Sequence, residues 1–244
     1  MVQLPKDFNY QGLTDLDVIS KVEPLLQAGV YKIREDGRLA CKMNQPWDTP
    51  WVHVVHLAHL KCHLWHHVYF QYYGFVPSGC QNCWKIVVRP NTVEQLFKLY
   101  ELQVQMNYPA KCGIELRDSV NGNYGGYFYT SSVEEGRERW AEVSRRVREE
   151  ISPDIKVILK RACTEYEHAN PDSSTWDISD DQVYLERILD SIFVQDAVKL
   201  MQPDHAKAHV MRTWIHRAFS IKDMTYVKYT GGKPLFPPYK TYHE

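Results

Sequence analysis

Apolar residues recur at helical spacing from Thr14 to Gln27, where Leu16, Val18, Ile19, Val22, Leu25 and Leu26 form one stripe between a Thr14 N-cap and a Gly29 stop. Pro24 predicts a kink in that helix. Val30 to Ala40 is expected to form a short hairpin around Glu35-Asp36-Gly37, because Asp-Gly supplies the positive φ of a tight turn. Trp51 to Tyr73, WVHVVHLAHLKCHLWHHVYFQYY, has Lys61 as its only formal charge and predicts a long helix over 50–74. Asp48 or Thr49 would cap it, Pro50 would open it and Gly74 would end it. At about 100° per residue its histidines, His53, His56, His59, His63, His66 and His67, share one stripe.

From Cys80 the pattern becomes regular. Trp84 to Arg89 reads as a strand closed by Pro90, and Thr92 with Gln95 reads as a capping box opening a helix with Val93, Leu96, Phe97, Tyr100 and Val104 on one side. Gly113 to Arg117 alternates, Asn121-Gly122 marks a hairpin turn and Gly126 to Thr130 is a third strand. Ser132 and Glu135 cap a second helix with an inner stripe of Trp140, Val143, Val147 and Ile151, ended by Pro153, and Ile155 to Lys160 is a fourth strand. Two helices follow, Ser179 to about Val198 and Asp204 to Ile221, and then a Pro- and Gly-rich tail.

The expected fold class is therefore α+β: a ferredoxin-like βαββαβ four-stranded antiparallel sheet, order 4-1-3-2, with additional N- and C-terminal helices. One domain, 1–244, would comprise an N-terminal helical region (1–79), the sheet core (80–163), C-terminal helices (177–221) and an extended tail (222–244). That architecture hosts many activities and specifies none.

Composition narrows the classes. Charged residues at 24%, hydrophobic residues at 44% and a net charge of −1 describe a soluble globular chain with no global field to recruit nucleic acid or anionic membrane. The amino terminus lacks a basic region followed by an apolar one, and six His, a Lys and a Gln in 51–73 oppose a membrane span, so a cytoplasmic protein with no membrane partner is expected. Six cysteines are too few for a disulfide scaffold at this length and read as buried thiols or metal ligands.

Cys80-Gln-Asn-Cys83 has the spacing that lets two thiolates reach one metal from a tight turn. In the expected topology Cys80 and Cys83 precede strand one, Cys112 precedes strand two and Cys163 follows strand four, so all four share one sheet edge. Strands two and four are roughly 14 Å apart, whereas sulfurs on one zinc lie within about 4 Å of one another, so the loops must fold inward or a wider iron–sulfur cluster must span the gap. The leading expectation is a metal-binding protein in which Cys80, Cys83, Cys112 and Cys163 hold zinc or an iron–sulfur cluster in a structural or redox role.

His56, His59, His63 and His66 form a possible second metal or proton-transfer site, and His205 with His209 repeat the i, i+4 spacing on the late helix. No HExxH pattern occurs. With Ile86, Val88, Ile114, Leu116, Phe128, Val157 and Leu159 facing the helices, the opposite sheet face would carry Lys85, Arg89, Arg117, Tyr127, Tyr129, Lys156 and Lys160 beside Glu115. Basic residues among tyrosines suit single-stranded nucleic acid, which makes a nucleic-acid-binding protein the alternative reading. A structural or interaction protein with reduced core thiols is the third. Glu165, Glu167 and His168 follow Cys163 in a stretch read as a solvated loop, and no Walker A, G-x-S-x-G or dinucleotide fingerprint appears.

Overall fold

The computed structural model describes residues 14–41, 48–55, 61–194 and 202–243. In chain order the elements are α1 (Asp15–Gln27), β1 (Tyr31–Ile33), β2 (Leu39–Cys41), β3 (Trp51–Val55), α2 (Cys62–Leu64), a π-helical stretch (Trp65–Phe70), α3 (Gln71–Tyr73), α4 (Ser78–Gln81), β4 (Trp84–Val88), α5 (Val93–Met106), β5 (Ala110–Ile114), β6 (Tyr124–Thr130), α6 (Val133–Glu150), β7 (Val157–Arg161), α7 (Thr164–Ala169), α8 (Asp180–Ile192), β8 (Phe193–Val194) and α9 (Asp204–Ser220). Short 3-10 turns cover Ser173–Thr175 and Met224–Tyr229. The chain divides into two compact units, whose described residues are 14–41, 61–84 and 161–194 in the first, and 48–55, 85–160 and 202–243 in the second.

In the first unit Thr14 caps α1, accepting from the Asp17 N–H while Asp17 accepts from the Thr14 N–H, a reciprocal box that satisfies two otherwise orphaned donors. Gly37 sits at φ +78° in the turn joining β1 to β2, as Asp-Gly requires. The antiparallel β1–β2 pair gains a third strand in β8, which runs parallel to β2. Val18, Val22, Leu39, Leu64, Val68, Tyr69, Phe75, Tyr166, Leu185 and Leu189 form its apolar core.

The long histidine helix over 50–74 is not one element. Trp51–Val55 is a strand, paired antiparallel to β5 with Val52 opposite Cys112. The reason lies in the local pattern: Val52 and Val54 join the core while Trp51, His53 and Val55 alternate with them, and β-branched residues favour that extended arrangement. His53 therefore leaves the stripe, and His56 and His59 lie outside the described residues. Helix begins at Cys62, passes through the π stretch and ends at Gly74, φ +74°, as expected.

The second unit is built on a mixed α+β arrangement, with a five-stranded antiparallel sheet of order β3-β5-β6-β4-β7. The expectation of four strands is corrected to five, because Trp51–Val55 adds itself beside β5. Cys83 accepts from the Ala162 N–H at one end of the β4–β7 pair and Arg89 donates to the Lys156 carbonyl at the other, as antiparallel strands do. Helices α5, α6 and α9 cover one face, where Val52, Ile86, Val88, Leu96, Leu99, Cys112, Phe128, Val143, Val147, Val210 and Trp214 pack together. Gly126 belongs to this face because a Cβ there would lie 2.3 Å from the Leu99 side chain. Leu116, expected inside, lies beyond the end of β5 and is exposed.

Two polar side chains close this unit. Asp223, after α9, accepts from the Val93 N–H at 2.6 Å and from the Tyr124 hydroxyl at 2.8 Å, so the first turn of α5 is satisfied by a residue 130 positions away. Gln202 accepts from the His53 N–H at 2.8 Å and donates to the Trp51 carbonyl at 3.0 Å, presenting its amide to β3 as a neighbouring strand would.

Candidate functional site

The C-x₂-C segment straddles the end of α4. The Cys83 N–H donates to the Cys80 carbonyl at 3.1 Å, closing a tight knuckle, and the Cys83 carbonyl accepts from the Ala162 N–H at 2.8 Å. Cys163, the next residue, is the N-cap of α7. Ala162 takes φ +52°, a left-handed turn between β7 and α7. Backbone pairing thus delivers the knuckle and Cys163 to one place.

Neighbours hold the knuckle in position. Glu186 of α8 accepts from the Ser78 N–H at 2.8 Å and from its hydroxyl. Gly79 lies under the Trp65 indole, where a Cβ would come within 2.3 Å of the ring. Arg161 donates to the carbonyls of Gln81 at 2.6 Å and Ser173 at 2.7 Å, and its guanidinium lies 5.8 Å from the Trp84 ring centre and 5.6 Å from that of Trp176. It is held by carbonyls and rings, with no carboxylate among its described partners.

Tyr166, which is 1% exposed, lies beside the Cys80 thiol. The Cys80 thiol donates to its hydroxyl at 3.6 Å. Burial, then the negative charge available to Cys80, Cys163 and Cys62, drives the Tyr166 hydroxyl far above its ordinary range. The His66 ring lies 5.9 Å from the Tyr166 ring. Cys112 is elsewhere: it is the centre of β5, not a residue preceding it, and its fully buried thiol belongs to the helix-facing core of the second unit. Burial pushes that thiol well up. Among the described residues, no group of three or more His, Cys, Asp and Glu side chains stands ready to hold a metal ion.

A second thiol meets the histidines. Cys41 Sγ lies 3.2 Å from His63 Nδ1, and the His63 and His67 rings lie 4.2 Å apart. Burial, with help from His67 and His66, holds His63 down at about 4, so it is a neutral imidazole at physiological pH. Of the expected histidine set, His63 and His66 share the helix beginning at Cys62. His205 and His209 are both exposed on α9.

On the sheet face away from the helices, Tyr127 is 6% exposed; its hydroxyl donates to Glu115 at 2.8 Å and accepts from Arg117 at 3.0 Å. Arg117 also holds Glu115 at 2.7 Å and Arg89 lies 3.8 Å from it. Burial alone would raise the Glu115 carboxyl, but hydrogen bonds from Arg117 and Tyr127, with the Arg117 charge, carry it below its ordinary value. Lys111 sits 4.6 Å from the Trp51 ring centre and Lys85, nearly buried, 5.7 Å from that of Tyr129. The Tyr127 ring is packed in this network instead of being presented for stacking. Lys156 is exposed and Lys160 half-buried. Glu165, Glu167 and His168 lie on α7, not in a loop, and Glu167 accepts from Ser173 at 3.0 Å.

Reading the sequence missed Tyr31, Cys41, Arg161 and Tyr166. One cue was present, since residues 31 and 41 stand symmetrically about Asp36 and any tight hairpin there makes them cross-strand partners. Comparison with family models, curated proteins and solved structures finds no match to the chain. Among the described residues, no helix is long and apolar enough to cross a membrane.

Proposed function

We propose that the protein binds a metal ion through Cys80, Cys83 and Cys163, with His66 as the fourth ligand and zinc as the metal. The observation that carries this reading is the meeting of the knuckle and Cys163 through the Cys83–Ala162 backbone bond, beside the buried Tyr166 hydroxyl. Arg161 adds support: a cation whose described hydrogen-bond partners are carbonyls beside the knuckle suits a neighbouring group of thiolates. Three sulfurs and one imidazole make a closed structural zinc shell. Cys112 drops out of the ligand set because it serves the other unit's core. Loading requires the ligand side chains to turn into a common sphere, so metal binding and local ordering are coupled.

The role is structural. Such a site ties the helix carrying His66, the knuckle at the end of α4 and the start of α7 to one another. Elemental analysis of protein purified without oxygen should find one zinc per chain, lost in a Cys80→Ser, Cys83→Ser double variant with a lower melting temperature. Protein that is metal-free and melts unchanged after chelator treatment overturns the proposal. Visible charge-transfer absorption with bound iron would replace zinc by an iron–sulfur cluster. Salt-dependent capture of a labelled single-stranded oligonucleotide by protein lacking metal would favour the sheet face instead.

A further inference from the structure

The first unit contains a separate group that uses none of the proposed metal ligands. β2 ends in Cys41, directly opposite Tyr31 in the β1–β2 ladder. The Cys41 Sγ lies 3.2 Å from His63 Nδ1 and 3.6 Å from Nε2, within reach of an S–H···N hydrogen bond. The His63 ring centre lies 4.2 Å from that of His67 and 6.1 Å from that of Tyr31, the Tyr31 ring at 63° to it. Tyr31 itself is 3% exposed, and its hydroxyl has no hydrogen-bond partner among the described residues. Leaving such a donor unsatisfied costs about 1–3 kcal/mol. A carbonyl oxygen arriving there would remove that cost.

We propose that Cys41, His63 and Tyr31 form an acyl-accepting site for an activated ester or thioester, with Cys41 as nucleophile, His63 as base and Tyr31 as the donor to the carbonyl oxygen. As the Cys41 sulfur bonds to the carbonyl carbon, its proton passes to His63 and the oxyanion takes the Tyr31 hydrogen bond. Collapse breaks the carbonyl bond to the alkoxide or thiolate, which leaves with the proton from His63. Water attacks the thioester by the reverse sequence, releasing the acid and restoring the thiol, so no oxidant or reductant is needed.

The protonation states agree with these roles. Burial pushes the Cys41 thiol up, so it keeps its proton, and burial holds His63 neutral as a weak base that takes the proton only as the carbon–sulfur bond forms. Burial, reinforced by Cys41, also pushes the Tyr31 hydroxyl up, so it stays an O–H donor.

The test uses p-nitrophenyl acetate on the intact protein, with the acetyl group located by peptide mass, and iodoacetamide as a comparison reagent. Cys41 should be acetylated, and His63→Gln should slow this roughly 100-fold. Tyr31→Phe should slow acetylation by a factor on the order of 100 while leaving alkylation of Cys41 unchanged, because alkylation builds no oxyanion. Acetyl groups found only at other residues, or His63→Gln reacting at the native rate, would sink the proposal. So would Tyr31→Phe slowing both reactions equally, which is what mere displacement of the thiol predicts. Should His63→Gln fail to fold, the ratio of acetylation to alkylation in Tyr31→Phe decides alone. The residues differ from the metal ligands, so the result stands however the elemental analysis falls.

Discussion

Cys112 and Cys80 are both buried thiols, but they live in different kinds of interior. Around Cys112, in the sheet unit, the neighbouring core residues are Val52, Ile114 and Phe128, and the thiol fills space as an alanine or valine would. Beside Cys80, in the other unit, the Tyr166 phenol accepts its proton and lies near the His66 imidazole, while in the same unit Arg161 sits against the Trp84 and Trp176 rings. The first interior is held by shape and periodicity. The second is held by polar groups whose partners must all be present, which makes it the place where chemistry concentrates.

That contrast can be broken most forcefully from the apolar side. Trp214 is fully buried and donates to the Pro50 carbonyl at 3.0 Å, so Trp214→Ala should cost about 3–5 kcal/mol in urea unfolding. A loss below about 1 kcal/mol would mean that the sheet unit's core is far more pliant than its close packing implies. Next comes Gly79→Ala, whose new Cβ would strike the Trp65 indole. A rigid ring must move, and a loss of about 1–3 kcal/mol is expected. Because the shifted residue abuts Cys80, it should also lower the zinc content that elemental analysis is expected to find at the proposed site.

Titration of His63 gives a smaller effect. Its imidazole is held at about 4 when folded against an ordinary 6.5, so the unfolded chain binds the extra proton between those values. Its contribution to stability is full above pH 6.5 and declines as pH falls towards 4. After allowance for partial exposure, the decline is on the order of 1 kcal/mol. Stability measured against pH for the native protein and for His63→Gln should diverge in that window. Parallel curves would show that His63 is not held neutral. The smallest effect belongs to Glu149→Ala, which removes an exposed i, i+4 pair with Arg145 and should cost less than about 0.5 kcal/mol, vanishing in high salt.

The same contrast explains what could be read in advance. In the sheet unit, Thr92 and Ser132 mark the starts of α5 and α6, accepting from the Gln95 and Glu135 N–H groups. Alternation located the strands to within about three residues. The start of β5 was misread because Ala110 is small and Lys111 polar, and that slip moved Cys112 from a core position to a supposed ligand position. Trp51–Val55 was read as helix because a valine-rich run with neutral histidines fits either period. Nothing local announces that Asp223 caps α5, that Gln202 pairs with β3 or that Arg161 lies between two indoles. Each is one side chain acting on residues far away in sequence, and periodicity carries no information about such bonds.

Gln202 has a consequence for solution behaviour. β3 is the outer strand of its sheet on that side, and an outer strand offers unpaired peptide groups to any other chain that presents an extended segment. By occupying the His53 N–H and the Trp51 carbonyl, one amide side chain denies two adjacent rungs to a second molecule. At these two groups Gln202 stands where the strand of another molecule would otherwise pair.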